Sequence, residues 1–96
     1  MPARLPIPKD EKLARRQELA RMAERGELAL PGAIRQCRQA LGLTQQEFAD
    51  RFGLTRLQVI ALEKGRSNAT EETLRKIGNP FGFTLGFIPR RESDAR

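Results

Sequence analysis

Leu43-Thr44-Gln45-Gln46-Glu47-Phe48-Ala49-Asp50-Arg51-Phe52-Gly53-Leu54-Thr55-Arg56-Leu57-Gln58-Val59-Ile60-Ala61-Leu62-Glu63-Lys64-Gly65-Arg66 contains two helix starts in close succession. Thr44 to Glu47 reads as a capping box: the Thr hydroxyl accepts from an amide three residues on, and the Glu carboxylate reaches back to the cap amide. The helix that follows turns Phe48, Ala49 and Phe52 inward and stops at Gly53, a residue that tolerates the left-handed conformation past a helix end. Only Leu54 separates that stop from Thr55-Arg56-Leu57-Gln58, a second box with Gln in the reach-back position. The next helix buries Val59 and Leu62 and ends at Gly65, leaving Arg56, Leu57, Ile60, Ala61 and Lys64 on its outer face. Two helices therefore cross at a very short turn, and Ala49 is the small residue that permits close approach there.

Working outward, Leu30-Pro31-Gly32 breaks the chain, and Ile34, Cys37 and Leu41 recur at helical spacing up to Gly42. Further upstream, Asp10 is the expected cap of a helix over residues 10–26, with Leu13, Ala20 and Ala23 on one face and Leu19 and Met22 beside them. That stripe is thin, so the helix must dock on the core or on a partner. Its charges alternate in sign, as in a solvated face, with Glu11 and Arg15 at salt-bridge spacing. Residues 1–9 carry three prolines and read as an extended arm. On the other side, Asn68 or Thr70 caps a helix bearing Leu74 and Ile77, with Glu71 and Glu72 near its N-terminal dipole.

From Phe81 the period changes to two. Phe81, Phe83, Leu85 and Phe87 alternate with Gly82, Thr84, Gly86 and Ile88 until Pro89. The run over 81–89 reads as a strand, and no second strand is legible to pair its backbone. A second copy of the chain is the simplest partner, with Phe81, Phe83, Leu85 and Phe87 in the joint, and a core element of a single monomer is the alternative. The end, residues 90–96, lacks apolar anchors and reads as a mobile tail.

With 96 residues, the chain is long enough for one core and too short for two. Its 39% apolar and 31% charged residues suit a folded globular domain, with no apolar stretch of membrane-spanning length and no signal core at the N-terminus. A cytoplasmic location is the expectation. There is no histidine and one cysteine, so a metal site, a disulfide scaffold and histidine-assisted catalysis all lack their residues. An enzyme and a bound cofactor are therefore not expected. Cys37, on the apolar face with Ile34 and Leu41, reads as a packed core thiol. The net charge of +6 is spread along the chain and favours polyanionic partners.

Residues 43–66 resemble the helix-turn-helix of the Xre/Cro repressor family. The resemblance rests on Thr44-Gln45-x-x-Phe48-Ala49, the helix-ending Gly53, the Thr55 cap, apolar residues at 59 and 62, and Glu63-x-Gly65, and it extends over about residues 30–85. It implies a mostly α, lambda-repressor-like DNA-binding domain of four or five helices over 30–80, preceded by the N-terminal helix and followed by the strand that pairs across a homodimer. It assigns Thr55, Arg56, Leu57, Ile60 and Ala61 to the surface facing the groove of a palindromic operator in double-stranded DNA. Arg56 suits the two acceptors of guanine. By the same resemblance Gln45 anchors a phosphate, Lys64 and Arg66 lie on phosphates past the helix, and Arg38 and Glu63 form a structural ion pair. Leu57, Ile60 and Ala61 are apolar where many relatives carry polar readers. Thymine methyls or a protein partner then become the matching surfaces.

The strand directly after the domain resembles HipB-type antitoxins. That resemblance implies an autoregulating repressor that neutralises a cognate toxin of a type II pair, with the opening helix as the place for toxin contact. A phage-like or metabolic repressor with no toxin, and a protein-interaction module using the apolar face, remain the alternatives.

Overall fold

Phe48 and Val59, both fully buried, mark the point where the helices converge in the computed structural model, which describes residues 7–90. Five helices follow in order: α1 (Lys9–Glu24), α2 (Gly32–Leu41), α3 (Gln45–Phe52), α4 (Arg56–Glu63) and α5 (Glu71–Gly78), with a 3-10 turn at Asn79–Phe81. Ile34, Cys37, Ala40 and Leu41 from α2, Phe48 and Ala49 from α3, Val59 and Leu62 from α4, and Ile77 from α5 form one core. These are positions of helical spacing on each segment, so each helix contributes one apolar face. The Phe48 and Phe52 rings lie 4.6 Å apart and tilted, filling the angle between α3 and its neighbours.

Both boxes between α2 and α4 form. The Glu47 amide donates to Thr44 Oγ1 at 3.1 Å and the Thr44 amide to Glu47 Oε1 at 2.8 Å. Gln58 and Thr55 repeat the arrangement at 3.1 and 2.8 Å. Gly53 takes φ 70°, and the Leu54 amide donates back to the Ala49 carbonyl at 2.8 Å, closing the turn within one residue of the next cap. Thr70, rather than Asn68, caps α5 by accepting from the Thr73 amide.

The N-terminal helix docks on α2. Leu19 is buried, the Met22 sulfur accepts from Gln36, and Arg15 Nη1 donates to the Gln39 carbonyl at 2.8 Å. Arg16 lies over the Phe81 ring, 5.5 Å from its centroid, tying α1 to the turn that follows α5. Two expectations need correction here. Pro8 and not Asp10 precedes the first helical residue, because the proline φ of −57° already matches the helix start; Asp10 instead accepts from the adjacent Glu11 amide. Leu13, placed in the apolar stripe by spacing, is 57% exposed, since the apolar contact of α1 with the core runs through Leu19 and Met22.

The strand over 81–89 is the larger correction. Among the described residues no strand forms. Pro80 sits second in the 3-10 turn, Gly82 takes φ 72°, and the Gly82 and Phe83 amides donate back to the Asn79 and Gly78 carbonyls at 3.0 and 3.1 Å. Phe81 and Phe83 are thereby folded inward onto the core, their rings stacked with centroids 5.4 Å apart. Two of the four residues assigned to a dimer joint are thus spent on the chain's own core. Leu85, Phe87 and Ile88 continue past it, exposed and without regular structure. Of the arm, Ile7 is half-buried and its side chain lies against Gly42, while residues 1–6 and 91–96 of the expected arm and tail fall outside the described residues. No helix among the described residues is long and apolar enough to cross a membrane.

Two outcomes follow from this packing. Phe48→Ala should lower the unfolding free energy by about 3–5 kcal/mol, read as a fall in the urea midpoint at unchanged slope. Burial pushes the Cys37 thiol from 9.0 up to about 11. A raised folded value leaves stability intact below the unfolded value and removes it as pH climbs through the folded one. Unfolding stability should therefore fall between pH 9 and 11, and Cys37→Ala should remove that part of the slope, as paired denaturant titrations at successive pH values will measure.

Candidate DNA-binding surface

The position of α4 is set by one ion pair. Arg38, from α2, donates through Nε to Glu63 Oε2 at 2.6 Å and through Nη2 to Oε1 at 3.1 Å. Its remaining Nη1 donates to the Leu43 carbonyl at 3.0 Å, so a single guanidinium joins α2, the loop before α3, and the C-terminal turn of α4. The two side chains are only 13% and 6% exposed, which shields the pair from water and salt. The third contact, to the Leu43 carbonyl, has no signature in the sequence, since any residue supplies a carbonyl.

Val59 and Leu62 fasten the inner face of α4 to the core, and the outer face is left open. Thr55, Arg56 and Gln58 are exposed at its leading end, and Leu57 is 75% exposed between them. Ile60 and Ala61 are half-buried along the flank. Past the helix, Gly65 takes φ 73° and turns the chain so that Lys64 and Arg66 both stand exposed. Gln45 differs from the others: it is half-buried, and its side-chain amide donates to Glu63 Oε1 at 3.4 Å. That long bond leaves its main-chain amide, at the first position of α3, as the group nearest to a phosphate role.

The charges sort by location. On α1 and α5, Arg15, Arg21, Arg75 and Lys76 are each paired with a carboxylate of their own helix. Arg56, Lys64 and Arg66 make no ion pair among the described residues, and the one carboxylate of α4, Glu63, is matched internally by Arg38. A helix end with an open bidentate donor, an apolar neighbour and two free cations beyond it is chemically suited to base edges flanked by phosphates. Sequence reasoning passed over Arg51, exposed at the end of α3 with its guanidinium over the Phe52 ring at 5.6 Å. Its place in the last turn of α3 is the only signal it gave. No group of three or more His, Cys, Asp or Glu is placed to hold a metal among the described residues.

A helix whose leading end is exposed, set by a short turn against a capped partner and fixed from behind by a buried ion pair, defines a helix-turn-helix DNA-binding domain. The chain belongs to the helix-turn-helix family HTH_3, whose profile matches residues 34–88. It is similar to a protein named as an uncharacterized HTH-type transcriptional regulator of Methanothermobacter thermautotrophicus, 47% identical over 49 residues that make up 51% of this chain and 71% of that one. A regulator of the same description from Haemophilus influenzae is 36% identical, covering 60% of this chain and 59% of its own. The regulator YqaE of Bacillus subtilis is 33% identical, covering 66% and 54%. The chain thus spans between about half and seven-tenths of the length of these relatives. No solved structure matches it significantly. The helix α1 lies outside the matched span.

Removing the Glu63 carboxylate strands the Arg38 guanidinium in a nearly dry site, which costs about 3–5 kcal/mol for pairs of this kind. Glu63→Ala should therefore unfold or severely destabilise the domain in a thermal melt followed by circular dichroism. An unchanged melting temperature would refute the role given to the pair.

Proposed function

We propose that this chain is a sequence-specific transcriptional repressor that binds a palindromic operator in double-stranded DNA as a homodimer, with α4 in the major groove. The observation that carries the reading is the exposed end of α4, where Arg56 and Leu57 are both open to solvent. In this reading Arg56 donates two guanidinium N–H groups to the O6 and N7 acceptors of guanine, and Leu57 meets a thymine methyl, with Ile60 and Ala61 extending the apolar contact. Thr55 faces the groove at the start of α4, the main-chain amide of Gln45 holds a phosphate at the start of α3, and Lys64 and Arg66 hold phosphates beyond α4. Binding of this kind calls for no cofactor. Dimerisation draws on Leu85, Phe87 and Ile88, which leave an apolar run in solvent.

The finer reading is an antitoxin that represses its own operon and neutralises a toxin. It draws on the resemblance of the chain to HipB-type proteins and on α1, which adds an outer charged face to the domain. A neighbouring reading frame whose product arrests growth, with arrest relieved by co-expression of this chain, supports it; a neighbour without such an effect leaves a phage-like or metabolic repressor. The exposure of Leu57 also favours a second use of α4, as an apolar patch for a protein partner. Affinity for the chain's own promoter against scrambled DNA at two salt concentrations separates the two, because non-specific binding falls steeply with salt and shows no preference.

Arg56→Ala should cost about 1–3 kcal/mol and relax preference at one base pair of each half-site, measured by competition binding with single-base operator variants. Equal loss on every sequence would reassign Arg56 to a phosphate. Lys64→Ala should instead weaken binding uniformly and lower the slope of log affinity against log salt by about one.

A further inference from the structure

The contacts of α1, which precedes the matched family span, run along α2 in reverse order. Met22 near its end meets Gln36, Arg15 donates to the Gln39 carbonyl, and in its first turn Lys12 Cε lies 3.4 Å from where a side-chain Cβ on Gly42 would stand. Ile7 packs over the same glycine. The start of α1 is thereby held against the loop that carries the chain from α2 into α3. Gly42 and Gln45 are three residues apart, a span of at most about 11 Å. The Lys12 ammonium, one bond past Cε, thus stands at the same end of the bundle as the exposed Thr44 and the main-chain amide that opens α3. Lys9, Lys12 and Arg16 fall at i, i+3 and i+7 on one exposed flank, and neither lysine makes an ion pair among the described residues. The neighbouring carboxylates are turned away or engaged. Asp10 lies roughly 160° around the helix from Lys12, Glu11 pairs with Arg15 at 2.8 Å, and Glu47 receives the Thr44 amide.

We propose that Lys12 holds a backbone phosphate of a bound DNA duplex, neighbouring on the same strand the phosphate at the start of α3. Phosphates of one strand follow one another every ~3.4 Å of helix axis, so a site for one brings the next within the sweep of a four-carbon stem. The stem of Lys12 lies on Gly42, which fixes its base and leaves the ammonium open to water or to an anion. The proposal rests on the reading of this chain as a binder of duplex DNA, and it extends the contact surface to a helix upstream of the family span. A phosphate contact carries no sequence information, so Lys12 adds affinity and register and leaves base preference to α4.

Lys12→Met keeps the stem that covers Gly42 and removes the charge, whereas Lys12→Arg keeps the charge. Arg21→Ala, in the last turn of α1, lowers the net charge by the same amount at the other end of the helix and serves as the control. Affinities of the full chain for a duplex of its own promoter and for a scrambled duplex are read by fluorescence anisotropy at two salt concentrations, with a thermal melt to show that each variant is folded. Between about 50 and 200 mM salt, each bound wild-type chain should lose about 3.5-fold more affinity than Lys12→Met, the effect of one phosphate contact at a slope of about 0.9. Lys12→Arg and Arg21→Ala should follow the wild type, and the ratio of affinities for the two duplexes should be the same in Lys12→Met as in the wild type. A salt dependence of Lys12→Met equal to that of the wild type, or an equal change in Arg21→Ala, would overturn the proposal and leave the operator reading in place. A wild type that binds both duplexes alike, with Lys12→Met still the less salt-dependent, keeps this inference and loses the operator reading; a chain that binds neither duplex loses both.

Discussion

The bidentate contact between Arg38 and Glu63 is the constraint on which the arrangement depends. It spans 25 residues of sequence and joins the helix that anchors the core to the last turn of the helix that faces outward. Apolar packing through Val59 and Leu62 holds α4 against the core but is non-directional and tolerates rotation. A planar guanidinium with three acceptors in fixed directions does not. The pair therefore sets the azimuth of α4, and with it which side chains face away. Its value lies in orientation, since desolvating both charges offsets much of their attraction.

Upstream of this unit the chain adds a helix that the family span does not cover. The helix α1 buries little of itself, and its hold on α2 comes from Leu19, Met22 and the Arg15 bond to a main-chain carbonyl. The contact of Arg16 with the Phe81 ring brings α1 and the turn after α5 to the same side of the core. An N-terminal helix and a C-terminal segment that meet in this way form a surface apart from α4.

The middle of the chain was legible because its signals are local. Thr44, Glu47, Thr55 and Gln58 specify helix starts through bonds within four residues, and Gly53 and Gly65 specify ends through a backbone conformation that other residues resist. The ends were harder to read. The alternation of Phe81 to Phe87 has the period of a strand, but Pro80 and Gly82 together closed a turn whose amides fold the first two rings inward. Periodicity alone does not register that competition. In the site, the exposure of Arg56 and Leu57 followed from spacing, whereas the attachment of Gln45 to Glu63 depended on how α3 and α4 cross, which no local pattern encodes.

Helices α3 and α4 have eight residues each. Isolated helices shorter than about 12–15 residues are marginal in water even with good caps. The reading head consequently has no autonomy: excised from α2 and α5 it is a coil, and its caps have nothing to hold. Any cleavage that detaches α3 and α4 from the core therefore unfolds them.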